Sequence, residues 1–330
     1  MLDGKRLLRW NATQADWLNA RTLGIGASEI AVVLGLSPYG SPFDLFWRKV
    51  ETEVDRYDSE AMYWGRELEE VVARRFGNDH KEFTLRHTGL WQSRARSWQL
   101  ASPDRLLCEG RGTTPVALWE GKTSASWDGW GDGGTDHIPV AYRAQVLQQM
   151  DVVGVDVVYV SVLVAGRSYR EYVVERDDRD IEVMRHAGDE FWRRVAIARN
   201  TLGSAERYAP PVDGHTATTA RLRRLHPSVD DTAVEVPPDL ITGRQQAFAD
   251  RAEAQERMNH CDNRLRQLMG DARYAEVEGR RVATRSVTDT RVLDTKRLRL
   301  DHPDLLSGYE TTEPRHRLLV PNPKRKEAIA

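Results

Sequence analysis

The sequence predicts an α/β fold: a mixed central sheet flanked by helices, with a mostly helical accessory region behind it. Three observations carry this. The first 80 residues repeat apolar side chains at helical spacing behind good N-caps. Between about 83 and 174 the pattern shifts to short apolar strands with one helical crossover. Beyond residue 204, proline and glycine pairs interrupt the pattern and apolar anchors thin out.

The elements follow in order. Thr13 caps a short helix carrying Trp17 and Leu18. A second helix starts around Ser28 and runs through Ile30, Val33 and Leu34 to Gly35. Ser41-Pro42 opens a third, since proline is tolerated in a first turn; Phe43, Phe46 and Trp47 lie on one face of it. Ser59 caps a fourth, with Met62, Leu68, Val72 and Phe76 in phase and Gly77 as its stop. Strands are expected over 83–91, 98–101 and Val116–Glu120. Pro139 opens a helix that runs to about Val153. Val155–Val164 is nearly all β-branched, as a buried strand should be, and a second strand, Tyr169–Val174, follows it after a turn at Gly166. Residues 180–202 read as a long amphipathic helix.

The expected domains are therefore 1–204, a linker over 205–238 marked by Pro210-Pro211 and Asp213-Gly214, and an accessory region 239–330. That last region comprises a long polar helix over 239–269, a hairpin at 273–287 around Glu278-Gly279, and a basic tail ending in a mobile Pro321–Lys326 stretch. Arg280, Arg281, Arg285, Arg291, Lys296, Arg297 and Arg299 form a basic stretch that suits duplex DNA or a solvated face alike.

Composition sets bounds. The 48 Lys and Arg against 50 Asp and Glu exclude a uniformly basic nucleic-acid coat, so any DNA affinity must come from a local basic patch. An apolar fraction of 40% supports a sizeable core. Two distant cysteines, Cys108 and Cys261, cannot make a four-cysteine metal site and argue against a disulfide scaffold. No apolar run nears the roughly 18 residues of a membrane span. The protein reads as soluble and cytoplasmic, with no membrane partner.

The chemistry gathers on a few residues. Glu69 follows Trp64-Gly65 in a helix. Asp104 stands in Ser102-Pro103-Asp104 after a strand, and Glu120 and Lys122 flank Gly121 at another strand's end. Two residues apart on a strand, Glu120 and Lys122 project from one face. If Asp104 converges on Glu120, the pair offers the oxygen ligands that Mg²⁺ prefers. Such an ion could polarise a phosphodiester and acidify water, with Lys122 orienting that water or neutralising developing charge.

Five motifs in this order resemble the lambda-exonuclease-like or YqaJ-type viral recombinase family, within the PD-(D/E)xK nuclease superfamily. They are Arg21 to Glu29, Trp64 to Glu69, Ala101 to Asp104, Trp119 to Lys122, and Ile138 to Val146. The resemblance spans about Arg21 to Val174. It implies a PD-(D/E)xK restriction-endonuclease-like core and a Mg²⁺-dependent exonuclease, with Mn²⁺ able to substitute. Such an enzyme digests linear double-stranded DNA from its ends, 5′ to 3′, and leaves 3′ single strands for recombination. It further implies that Asp104, Glu120 and the Gly121 carbonyl bind the metal. Lys122 would act on the attacking water, Glu69 would help hold the site, and Gln145 would position water or Lys122. Arg21, Ser28 and Ser102 would grip a 5′ phosphate. A ring-like trimer or tetramer and a single-strand annealing partner are implied too.

Departures from the pattern are few. No arginine follows Lys122 before Arg143, and Gln149 stands where the RecB-like branch has tyrosine. That branch's cysteine cluster is missing. Gly121-Lys122-Thr123 is no P-loop, because Val116 replaces the required first glycine. The nine histidines show no ligand spacing. Two alternatives stay open: a structure-specific or nicking endonuclease on the same core, and a non-catalytic DNA-end-binding protein.

Overall fold

The computed structural model describes residues 2–53, 59–201, 203–302, 318 and 320. The chain forms two units, Met1–Pro227 and Ser228–Ala330. The first opens with β1 (Gly4–Arg9), α1 (Gln14–Arg21), α2 (Ala27–Val33), α3 (Pro42–Val50) and α4 (Glu60–Asp79). It continues through β2 (Phe83–His87), β3 (Gly89–Ser93), β4 (Leu100–Ala101), β5 (Arg105–Glu109) and β6 (Pro115–Ser124). The rest is α5 (Val140–Val153), β7 (Val157–Val164), β8 (Ser168–Glu175), α6 (Asp178–Arg199), a 3₁₀ turn at Ala205–Tyr208 and α7 (Thr216–Leu225).

The expected caps form. The hydroxyls of Thr13, Ser41 and Ser59 accept from the amides of Asp16, Asp44 and Met62, each contact contributing about 1 kcal/mol. The start of α2 differs from expectation. Gly26 is its N-cap, and the Glu29 carboxylate reaches back to the Gly26 N–H at 2.7 Å. Ser28 is therefore inside the first turn. Helix α4 also runs two residues beyond Gly77.

Five strands make the central sheet in the order β2-β5-β6-β7-β8. Only β6 and β7 pair in parallel, and α5 is the crossover between them. This is the predicted mixed sheet flanked by helices. Two strands were not foreseen, β1 and β5. The single strand expected over 83–91 is in fact two: it breaks at Thr88-Gly89, where Gly89 takes φ +115°. Strand β2 joins the central sheet, while β3 turns into a second sheet of order β1-β3-β4.

Strand alternation divides the core. Trp119, Leu107 and Ala117 face α4 and pack on Val72, Ala73 and Phe76. The opposite face carries Leu118, Val158, Val160 and Val162, which join Ile30, Phe46, Leu147, Met150 and Phe191 from the helices. Glu120 projects to this second face, where α5 meets it through Gln145 and Gln149.

The first unit extends past residue 204, so 205–227 are not a linker. The reason is Arg221 of α7, which is only 1% exposed. Its guanidinium reaches Asp44 at 2.9 Å, Glu51 at 2.8 Å and Glu53 at 2.7 Å. The segment is thus fastened by charge as well as by Ala205, Tyr208, Ala209, Leu222 and Leu225, which pack against the core.

The second unit holds α8 (Pro238–Met269), a hairpin of β9 (Tyr274–Val277) and β10 (Arg280–Thr284), and α9 (Thr295–Asp301). Helix α8 buries none of its side chains. Glu278 and Gly279, both at positive φ, make the hairpin turn. The Pro321–Lys326 stretch lies outside the described residues. Among the described residues no helix is long and apolar enough to cross a membrane.

Candidate active site

Strands β5 and β6 bring the acidic motifs together. Asp104 directly precedes β5, which pairs with β6 in the register Arg105 to Trp119. The Asp104 carboxylate accepts the Gly121 N–H at 2.9 Å. The glycine is needed here, because a Cβ on Gly121 would fall 2.6 Å from the Trp119 ring.

Glu120 is 2% exposed and fully engaged. Its Oε1 accepts from Lys122 Nζ at 2.7 Å and from Gln145 Nε2 at 2.5 Å, and its Oε2 accepts from Gln149 Nε2 at 2.9 Å. Lys122 also donates to Gln145 Oε1 at 3.2 Å and lies 4.9 Å from the Tyr142 ring centre. Gln145 thus bridges the lysine and the glutamate. Burial pushes the Asp104 carboxyl well above the usual carboxylate range, and the negative charges of Glu120 and Glu69 push it further. Burial works against the Lys122 charge, but Glu120 and Asp104 prevail and raise its pKa.

The donor set fits a hard divalent cation. Asp104 and Glu120 repel each other across neighbouring strands, and an ion between them would relieve that repulsion. Among the described residues no group of three or more His, Cys, Asp and Glu side chains gathers as a metal cage. Mg²⁺ does not require one, since it commonly takes one or two carboxylates and keeps several waters.

Glu69 comes to the rim of this cluster in a different setting. Its Oε1 accepts from Arg105 Nη1 at 2.5 Å, and neighbouring Glu70 takes Nη2 at 2.6 Å. Arg105 is 5% exposed and also donates to the Asp104 carbonyl at 2.7 Å. It ties α4 to the acidic turn. Sequence reading missed Arg105, Gln149 and Tyr142. Gln149 carried a signal: four residues after Gln145, it lies on the same helix face.

Arg21 and Ser28 meet beside α2, with Nη2 3.4 Å from Ser28 Oγ. Arg21 stacks over Trp17 at 4.6 Å and pairs with Glu29 at 3.2 Å, rather than with Asp16. Glu29 also holds Lys49 at 2.8 Å. Burial would raise the Glu29 carboxyl, but Lys49 and Arg21 overrule it and hold it at about 2. The backbone carries this group toward Asp104. Ile25 exchanges hydrogen bonds with Trp98 and Leu100, two residues short of half-buried Ser102. Gln148 of α5 donates to the Ile25 and Leu100 carbonyls and clamps the two segments. One helix therefore buttresses the acidic cluster through Gln145 and Gln149 and the Arg21 segment through Gln148.

The chain is similar to the uncharacterized protein YqaJ of Bacillus subtilis (strain 168), with 27% identity over 299 residues covering 88% of each chain. Its fold is similar to the alkaline exonuclease LHK-Exo of Laribacter hongkongensis, also solved in complex with dAMP. There the TM-score is 0.49, with 20% identity over 59% of this chain and 98% of the other. A phage-related exonuclease from Haemophilus somnus 129PT aligns at TM-score 0.40 and 11% identity, over 54% of this chain and 97% of that one. Residues 16–156 match the model of the YqaJ-like viral recombinase domain, and they hold every one of the residues assembled above. Over that stretch the chain is similar to the YqaJ-like viral recombinase domain.

Proposed function

We propose that the chain is a Mg²⁺-dependent exonuclease that degrades linear duplex DNA from its ends, 5′ to 3′, leaving 3′ single strands for recombination. The observation that carries this reading is the half-buried Glu120–Lys122–Gln145 network set against Asp104. Folding alone gives no reason to set a buried Glu120 and a half-buried Asp104, which repel each other, beside a lysine. Asp104 and Glu120 would hold the ion, with the Gly121 carbonyl as a further ligand. When bound, the ion would supply Lewis acidity toward a phosphodiester and toward water. Lys122 is placed by Glu120 and Gln145 to offer its ammonium to charge developing on the phosphate. Gln145 and Gln149 fix the orientation of the Glu120 carboxylate. Arg21 offers a planar cation suited to a terminal phosphate, and Ser28 adds a hydroxyl in the first turn of α2.

The viral-recombinase domain supports a recombination role. In this reading the chain works as a ring-like trimer or tetramer and passes the 3′ strand to a single-strand annealing protein. The test uses linear duplexes with and without 5′ phosphate, each labelled at one 5′ or 3′ end, together with a closed circle. Mg²⁺-dependent loss of the linear duplex from its 5′ ends, with the circle intact, is expected. Rapid cutting of the circle would assign the site to an endonuclease.

A further inference from the structure

Trp10 is 63% exposed, yet it is not loose. Its ring stacks on His87 with centroids 4.9 Å apart and planes 25° apart. The backbone is shaped to allow this. Gly89 pairs with Arg9, and a Cβ on Gly89 would lie 2.3 Å from the Leu8 carbonyl and 2.9 Å from the Trp10 nitrogen. Only glycine lets β1 end this close to the β2–β3 turn.

The position matters as much as the ring. His87 pairs directly with Arg105 in the central sheet, so both side chains leave the same face. Arg105 is the residue that holds Glu69, and it begins β5 directly after Asp104. The exposed indole therefore lies toward the Asp104 end of β5, on the α4 face of the sheet, the face opposite Glu120. Cations lie along β1, the strand that leads into Trp10. Lys5, Arg6 and Arg9 are exposed and make no ion pair with a described residue.

An aromatic platform with cations beside it has the features that take a nucleobase and its backbone phosphates. We propose that Trp10, backed by His87, is a base-stacking subsite for single-stranded DNA at the β2 edge of the central sheet, on the Arg105 side of the candidate active site. The proposal rests on the nuclease reading for its substrate class, but not for its measurement.

The test is binding of a labelled oligothymidylate to the full chain in EDTA, followed by anisotropy for the wild type, Trp10→Ala, Trp10→Phe and His87→Ala. Loss of one stacked base predicts roughly tenfold weaker binding for Trp10→Ala. Trp10→Phe should stay within about threefold of the wild type, because the ring face is kept. His87→Ala should fall between them; it also serves as the deciding variant if Trp10→Ala does not fold by circular dichroism. Unchanged affinity in a folded Trp10→Ala would overturn the proposal, as would a folded Trp10→Phe as weak as alanine. A wild type that leaves duplex DNA intact in Mg²⁺ counts against the nuclease reading instead. A wild type that cleaves while the folded variants bind normally counts against the stacking subsite alone.

Discussion

Replacing Lys49 by methionine isolates the ion pair that positions Arg21. Lys49 Nζ donates to Glu29 Oε2 and to the Arg21 carbonyl, both at 2.8 Å. The side chains are 6% and 8% exposed, so water cannot replace the lost partner. Breaking a buried pair from one side costs about 3–5 kcal/mol. Glu29 would still keep Arg21 at 3.2 Å and the Gly26 N–H at 2.7 Å. This puts the loss at the lower end, about 3 kcal/mol. For a unit of this size that lowers the melting temperature by about 6–12 °C. The double variant Glu29→Gln with Lys49→Met removes both charges and should recover part of the loss. Acid provides a second reading. Glu29 is held at about 2, below its ordinary 4.5. Its stabilisation is therefore present above about pH 4.5 and is lost as pH falls toward 2. The wild type should lose stability across that window more steeply than Glu29→Gln. A Lys49→Met melting temperature within about 2 °C of the wild type, or parallel acid profiles, would refute the argument.

Other outcomes follow from the site. Lys122→Ala should lower kcat by about 10²-fold or more with DNA-end affinity little changed; a normal turnover with collapsed affinity, measured in the same titration, would make Lys122 a phosphate contact. Arg21→Ala should slow digestion of 5′-phosphorylated ends and leave 5′-hydroxyl ends nearly unaffected, and equal losses on both would assign Arg21 to support of α2. Gln149→Leu should lower kcat by about tenfold at unchanged fold, because Glu120 loses the donor that fixes its Oε2; circular dichroism alongside single-turnover rates checks this.

Much of the fold could be read from local chemistry. Thr13, Ser41-Pro42 and Ser59 announced their helices because a cap is a contact within four residues. The β-branched run of β7 announced a buried strand. Strand β1, Gly-Lys-Arg-Leu-Leu-Arg, did not: it is half charged and is a strand because β3 pairs with it. The break at Gly89 was hidden for a related reason, since its positive φ answers to the approach of Leu8 and Trp10 from far along the chain. Residues 205–227 looked like a linker because Arg221 finds its acidic partners about 170 positions away.

The site divides in the same way. Asp104, Glu120, Lys122 and Gln145 were legible from spacing, order and resemblance, and the structure brings them into one cluster. Arg105 was not, although it sits beside Asp104. Its role depends on α4 presenting Glu69 and Glu70 to it, which only packing decides.

The measurement that tests the central claim most directly compares the wild type with Glu120→Gln on an end-labelled linear duplex, in Mg²⁺, in Mn²⁺ and in EDTA. The site geometry predicts digestion by the wild type in either metal and none in EDTA. It predicts no digestion by Glu120→Gln in any condition, with the fold retained by circular dichroism, because the relieved repulsion on Asp104 offsets part of the ion pair lost to Lys122. Digestion in EDTA, or wild-type rates in a folded Glu120→Gln, would contradict a metal-dependent nuclease centred on Asp104, Glu120 and Lys122.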